Sequence, residues 1–301
     1  MRHTLAAALF ALPALGFAQK LPHHDVLLFS VAKNADGSYG LSAPSFLTAF
    51  NPGGYNNQPQ FFGASEIYLT TQFPDDTTQT DITALDLGSR ARSRVTRTPE
   101  AEYSPTPMPD GRRFSCIRVE ADGVQRLWSF PIDRSDEGRV VFPKIKGVGY
   151  HCWLSDTLAA MFIVGENSQP HTLVLAGLRG QKPAKIASNI GRSLHKLPDG
   201  RLAFVQKATD QTWFVKAYDP KKQTSDILVQ TLPGSEDFAV LPDGTLLMGL
   251  GSKLYQYKIG QSQNWLEIAD LARFGVASVS RLAVSSGGRL AVVVQGETVR
   301  R

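Results

Sequence analysis

Six tight turns recur along this chain at nearly constant spacing, and no other feature restricts its fold so strongly. They fall at Gly63-Ala64, Asp110-Gly111, Asp156-Thr157, Asp199-Gly200, Asp243-Gly244 and Gly287-Gly288, each between a short apolar segment and a longer one. With Ala64, Asp110, Asp156, Asp199, Asp243 and Gly287 as markers, the intervals are 46, 46, 43, 44 and 44 residues. A period of this length is that of a four-stranded propeller blade.

The same order repeats within each period. An inner segment such as SPTPM, SLHKL or DFAVL leads into the turn, and FSCIRV, LAFVQK or LLMGLG leaves it. A third segment follows in DITALDL, QRLWSFPI, HTLVLAGL, TWFVKAYD and KLYQYKI, mixing aromatic and β-branched residues with polar ones in rough alternation. A fourth lies in RSRVTRT, RVVFPKI, PAKIASN, SDILVQT and WLEIADL; the stretch from Trp265 to Phe274 equally suits a short amphipathic helix. Asp-Gly fits the turn because a tight hairpin needs positive φ at its centre, which Gly adopts freely and Asp tolerates. These PDG turns are therefore read as structural.

The two ends are complementary. Residues 25–48 hold two strand patterns and no inner hairpin, whereas residues 278–295 hold an inner hairpin and no outer strands. Joined, they complete one blade. The predicted fold is all-β: a six-bladed β-propeller of four-stranded antiparallel blades, its ring closed by strands from both termini, which removes the edges an open array would expose.

The opening MRHTLAAALFALPALGFAQ places Arg2 and His3 before a short apolar stretch and small residues at Gly16 and Ala18. It reads as a signal peptide, residues 1–18, cut near Ala18–Gln19. Residues 19–301 then form a single propeller domain, periplasmic or secreted and monomeric. No later segment offers the ~20 apolar residues of a membrane span, so no transmembrane segment is expected in the mature chain. The net charge of +5 is modest and the basic residues are scattered, as on solvated strand edges. Nucleic acid is not an expected partner. The two cysteines, Cys116 and Cys152, fall in strand patterns of neighbouring blades. An exported compartment permits a bridge, but strands in adjacent blades usually lie too far apart, so both thiols are expected reduced and buried.

The segments MPDGRRFSCIRV, LPDGRLAFVQK and LPDGTLLMGL, with the paired openings NNQPQFFGASEIYLTT and EYSPTPMPDGRRF, resemble the TolB-like β-propeller family, exported bacterial proteins built from WD-like repeats. The resemblance covers nearly the whole mature chain. It implies six blades and a role mainly as a periplasmic binding platform. The chain lacks the Ser before Pro-Asp-Gly and the Asp-Arg-x-Gly that often follows the second strand, and it shows no separate amino-terminal αβ domain.

No nucleophile elbow, zincin helix, phosphate loop or paired-cysteine zinc site is present in the sequence. Candidate chemistry therefore lies where each blade's inner strand begins, because those six segments converge around the central channel. Asn57, Glu102, Tyr103, Tyr150, His151, Arg192, Asp237 and Arg281 are the candidate binding residues of this mouth. The same polar groups would also serve simply to hydrate the funnel. His151, flanked by Tyr150 and Trp153, is open to either a structural role or one as ligand or base. His23-His24-Asp25 is a metal set on paper, or a disordered lead-in near a cut terminus. No catalytic residue, metal site or cofactor is assigned. Two functions remain: a non-enzymatic platform binding a protein, peptide or cell-envelope component at the mouth, and a metal-assisted hydrolase or lactonase with Asn57, Glu102 and Asp237 as ligands.

Overall fold

The second strands of blades three to six are apolar almost without interruption because they are covered on both faces. In blade four, Leu202 and Phe204 pack toward blade three while Ala203 and Val205 pack toward blade five. In the closing blade, Leu290, Val292 and Val294 face blade five, and Ala291 and Val293 face blade one. Successive side chains of a strand point to opposite sides, so one strand contributes to two cores. Among the described residues the hydrophobic side chains form six clusters, one between each pair of neighbouring blades. Each fully buried Leu, Val or Phe in them contributes roughly 1.5–3 kcal/mol.

The architecture is that of a computed structural model describing residues 20–295; the proposed signal peptide lies outside the described residues. Five four-stranded antiparallel sheets occupy residues 55–94, 101–140, 148–188, 190–230 and 238–270, blades one to five. Blade six is composite, as the complementary ends require. Its inner hairpin is Val279–Val284 and Arg289–Gln295, and its outer strands are His24–Lys33 and Tyr39–Leu41, with Ser45–Phe46 also paired to His24–Lys33. The closing seam runs antiparallel in unbroken register from His24 opposite Gln295 to Ser30 opposite Arg289. The segment WLEIADLARF satisfies both readings, with strand Leu266–Asp270 followed by the 3₁₀ turn Leu271–Phe274, capped by Asp270. No helix among the described residues is long and apolar enough to cross a membrane.

The PDG turns work differently from the expectation. Only the glycines take positive φ, +65° at Gly111, +89° at Gly200 and +86° at Gly244. The aspartates instead accept backbone N–H groups ahead of them: Asp110 Oδ1 from Arg112 at 2.9 Å and Arg113 at 3.0 Å, Asp199 Oδ1 from Arg201 at 3.0 Å, Asp243 Oδ1 from Thr245 at 3.0 Å. This is the local side-chain turn that Asp favours. Nor is His23-His24-Asp25 a disordered lead-in. His24 and Asp25 open the closing strand, and Asp25 Oδ1 accepts from Thr48 Oγ1 at 2.9 Å.

Both cysteines are free, Cys116 buried and Cys152 only half-buried, which corrects the expectation that both are buried. His151 and Trp153 face blade two, whereas Cys152 between them faces the other way and packs at the margin of the core between blades three and four.

Two outcomes follow. Mass spectrometry of unreduced, alkylated, denatured protein will show two modified thiols, and in the native protein Cys152 will be alkylated before Cys116; a linked peptide pair would contradict the structure. Deleting residues 25–48 strips the outer half of blade six and leaves Arg289–Gln295 as an open edge, so the variant will aggregate. A monomeric variant with an unchanged melting curve would show that the seam does not hold the ring.

Candidate functional site

The inner strands begin at one end of the ring, and in five blades the start carries a β-bulge. Register shifts separate Asn57 from Gln60, Tyr103 from Thr106, Val148 from Tyr150, Ile190 from Leu194, and Val279 from Arg281. A bulge adds a residue, breaks the strict alternation and re-aims the side chains beside it. In blades one and two it also forces non-glycine residues into the left-handed region, at Gln58 (φ 53°) and Ser104 (φ 56°). Gln58 Oε1 and Thr70 Oγ1 secure that backbone by accepting from Ser104 N at 3.0 and 3.1 Å.

The re-aimed side chains meet near the ring axis. Arg192 of blade four donates through Nε to Asp237 Oδ2 of blade five at 2.8 Å, and its Nη2 reaches the same oxygen. Its Nη2 also donates to Ser280 O of blade six at 3.3 Å, and its Nη1 lies 3.5 Å from Glu236 Oε1. Lys207 Nζ completes this edge at 2.8 Å from Glu236 Oε2. Arg281 of blade six donates to Tyr150 Oη of blade three at 3.4 Å, its guanidinium carbon 5.2 Å from that ring's centroid. Blades three and six are opposite in a ring of six, so this contact crosses the axis. The mouth is thus floored by side chains at this level.

Electrostatics brings in the remaining blades. Burial raises the phenol pKa of Tyr55 in blade one and of Tyr103 in blade two, and nearby Tyr150 adds to both. Burial pushes the Asp237 carboxyl upward, but Arg192 and Arg281 more than reverse this, so it titrates below its ordinary value. His24, edge-on to Tyr55 with ring centroids 5.5 Å apart, is held low first by burial and then by Arg281.

Four of the eight candidate residues, Tyr150, Arg192, Asp237 and Arg281, are joined by these contacts, and Tyr103 packs against the core between blades two and three with its phenol close enough to feel Tyr150. For Glu102 and His151 the placement at the mouth is corrected, while Asn57 stays at the bulge of blade one, buried, with Oδ1 accepting from Gln58 N at 2.7 Å. Glu102 is 0% exposed, on the opposite side of its strand from Tyr103; Oε1 accepts from Thr98 Oγ1 and lies 3.7 Å from Arg118 Nε, while Oε2 has no hydrogen-bond partner. His151 is buried between blades two and three, its Nε2 2.6 Å from Ser115 Oγ, which also accepts from Trp153 Nε1 at 2.8 Å. Burial alone drives the His151 imidazole down to about 3, so it is neutral. Asn57, Glu102 and Asp237 do not form a ligand set, since Glu102 is engaged by Thr98 and Arg118, and Asp237 by Arg192. Among the described residues no group of three or more His, Cys, Asp or Glu side chains is placed to hold a metal ion. His24 is the residue beside the mouth that sequence reasoning missed; it lies against Tyr55 of the blade-one entry segment. Two clefts lie elsewhere, one of about 480 Å³ between the outer strands of blades five and six, lined by Leu41, Ile268 and Arg273, and one of about 270 Å³ at the hairpin turns of blades four and five, lined by Lys33, Arg201 and Lys258.

No protein-family model matches the sequence, and no curated protein matches it. Solved structures do. A protein described as TolB from Agrobacterium tumefaciens superposes with a TM-score of 0.67 at 10% identity, over 92% of this chain and 100% of that one. The chain has the TolB-like six-bladed propeller fold. TolB from Acinetobacter baumannii gives 0.57 at 12% identity, over 91% of this chain and 64% of that one. A puromycin-hydrolyzing peptidase of Mycobacterium tuberculosis gives 0.53 at 15% identity, over 80% of this chain and 44% of that one. The fold is thus shared by TolB proteins and by a hydrolase, and the site's own residues must carry the functional argument.

Glu102 supplies a pH test of the structure around the site. Burial, opposed by Thr98, Thr96 and Arg118, pushes its carboxyl from 4.5 up to about 7. A carboxyl raised on folding favours the native state at low pH and loses that contribution as pH rises through the folded value. Glu102→Gln will therefore match the wild type near pH 4.5 and gain on the order of 2–3 kcal/mol over it by pH 8. A constant difference in melting temperature across that range would contradict the burial assigned to Glu102.

Proposed function

We propose that this chain is an exported, non-enzymatic binding propeller that holds a protein, peptide or cell-envelope component at the axial end of its ring. The observation that carries this reading is the convergence of Tyr150, Arg192, Asp237 and Arg281 from four different blades, with Tyr103 of a fifth packed nearby. Tyrosine and arginine are the residue types that most often anchor interfaces, because they present large, stiff contact areas with polar ends. Here the inter-strand ladders fix the backbones of Tyr103, Tyr150 and Arg281, and the ion pair holds the Arg192 and Asp237 side chains, so little freedom is lost on binding. The TolB-like fold supports the reading as a scaffold that presents varied residues at one end. The propeller itself supplies the rigidity; the mouth supplies the chemistry.

The test is photo-crosslinking in intact cells of the source organism, with benzoylphenylalanine replacing Tyr103 beside the mouth or Ile227, which is 60% exposed on the outer edge of blade four. A discrete adduct from position 103 and none from position 227 is the expected result. Adducts from position 227 with none from position 103 would place binding on the blade edge and overturn the proposal.

A further inference from the structure

The two arginines of the mouth are not equally satisfied. Arg192 has Asp237 Oδ2 at 2.8 Å from Nε, Ser280 O at 3.3 Å and Glu236 at 3.5 Å. Arg281 has only the Tyr150 hydroxyl at 3.4 Å and Asp237 Oδ1 at 4.0 Å, although its side chain is 16% exposed. Both distances are long for a charge-assisted bond, which forms at about 2.7–2.9 Å. A guanidinium offers five N–H donors, and here most have no close acceptor among the described residues. The local charge balance agrees. Arg192, Arg281 and Lys207 face only Asp237 and Glu236, leaving one positive charge.

Building on the binding reading above, we propose that Arg281 is the receptor for a carboxylate of the ligand, bound in bidentate fashion by the guanidinium edge that Asp237 and Tyr150 leave open. The Tyr150 ring lies 5.2 Å from the guanidinium carbon, within cation–π reach, and holds the group in place without satisfying its donors. A planar fork with two parallel N–H groups matches a carboxylate. A monoanion fits better than a phosphate dianion, because the excess is a single charge and the carboxylates of Asp237 and Glu236 repel a second negative one. The β-bulge at Ser280, which aims Arg281 at the axis, is thus a recognition device. The carboxylate has two possible sources, the free end of a peptide and an acidic side chain.

The experiment follows the Arg281 Nε–H resonance by NMR in the full mature chain, assigned with Arg281→Lys, during titration with three probes: Gly-Gly-Phe, its C-terminal amide, and N-acetyl-Asp-Phe-amide. A saturable shift with Gly-Gly-Phe and none with its amide assigns the site to a chain terminus. A shift with N-acetyl-Asp-Phe-amide assigns it to an acidic side chain, and either result supports the inference. In Arg281→Gln, checked for an unchanged melting transition, affinity for the active probe will fall about tenfold or more, the loss of a charge-assisted pair. No shift with any probe, or equal shifts with the neutral amide, would overturn the proposal even if Arg281→Gln fails to fold, because that reading comes from the wild type. If crosslinking at Tyr103 succeeds while these probes fail, the carboxylate receptor is wrong and the platform stands; if crosslinking fails too, the platform itself falls.

Discussion

Everything in this molecule depends on the pairing of His24–Lys33 with Arg289–Gln295. Blades one to five are each continuous in sequence, and each still needs a neighbour on both sides to cover its second strand. Without the seam, blade six is a two-stranded hairpin, and the two clusters that flank it, built around Leu290 and Val292 on one side and Ala291 and Val293 on the other, lose the contributions of Leu27, Phe29 and Val26. A ring with one half-built member exposes as its outer edge Arg289–Gln295, whose counterpart is the second of four paired strands in every other blade. The seam joins the chain's ends across more than 260 residues, which is costly in loop-closure entropy but only logarithmically so.

The mouth inherits its geometry from that closure. Arg281 stands on Val279–Val284, the strand paired to the seam strand, and it reaches Tyr150 on the opposite blade. Opening the ring would move Arg281 away from Tyr150 and from Asp237, and would also carry off His24, which lies beside Tyr55. Ring closure and site assembly are thus one event. The side chains that meet at the axis tolerate this crowding because most of the charge is paired there: Asp237 holds Arg192, Glu236 lies between Arg192 and Lys207, and Arg281 stands 4.0 Å from Asp237. Removing Asp237 alone would leave two guanidiniums facing each other, a costlier change than removing any tyrosine.

The blades were legible in the sequence because their signals are local. A PDG turn needs its glycine at positive φ and its aspartate as acceptor to the backbone just ahead, and both requirements are written within four residues. The complementary ends were legible for the same reason, as strand patterns that lack their partners. The site was legible only in part. Strand parity and bulges decide which side chain reaches the axis, and neither leaves a strong trace: Glu102 and Tyr103 are adjacent, yet one is buried beside Arg118 and the other packs toward blade three. His151 sits next to Tyr150 and turns instead toward Ser115. His24 was missed because it precedes the first strand pattern, and its place beside the mouth exists only once that strand pairs with Arg289–Gln295 in blade six.

Native-state hydrogen exchange, read by mass spectrometry on the seam strands, tests the dependence of the whole ring on its closure most directly. If the seam holds the structure, amides of residues 26–29 and 290–294 will exchange only by global unfolding, with the same free energy and denaturant dependence as the second strand of blade four, Leu202–Lys207. Seam amides that exchange through a lower-energy opening while Leu202–Lys207 stays protected would show that the ring stands without its clasp, and would contradict the account.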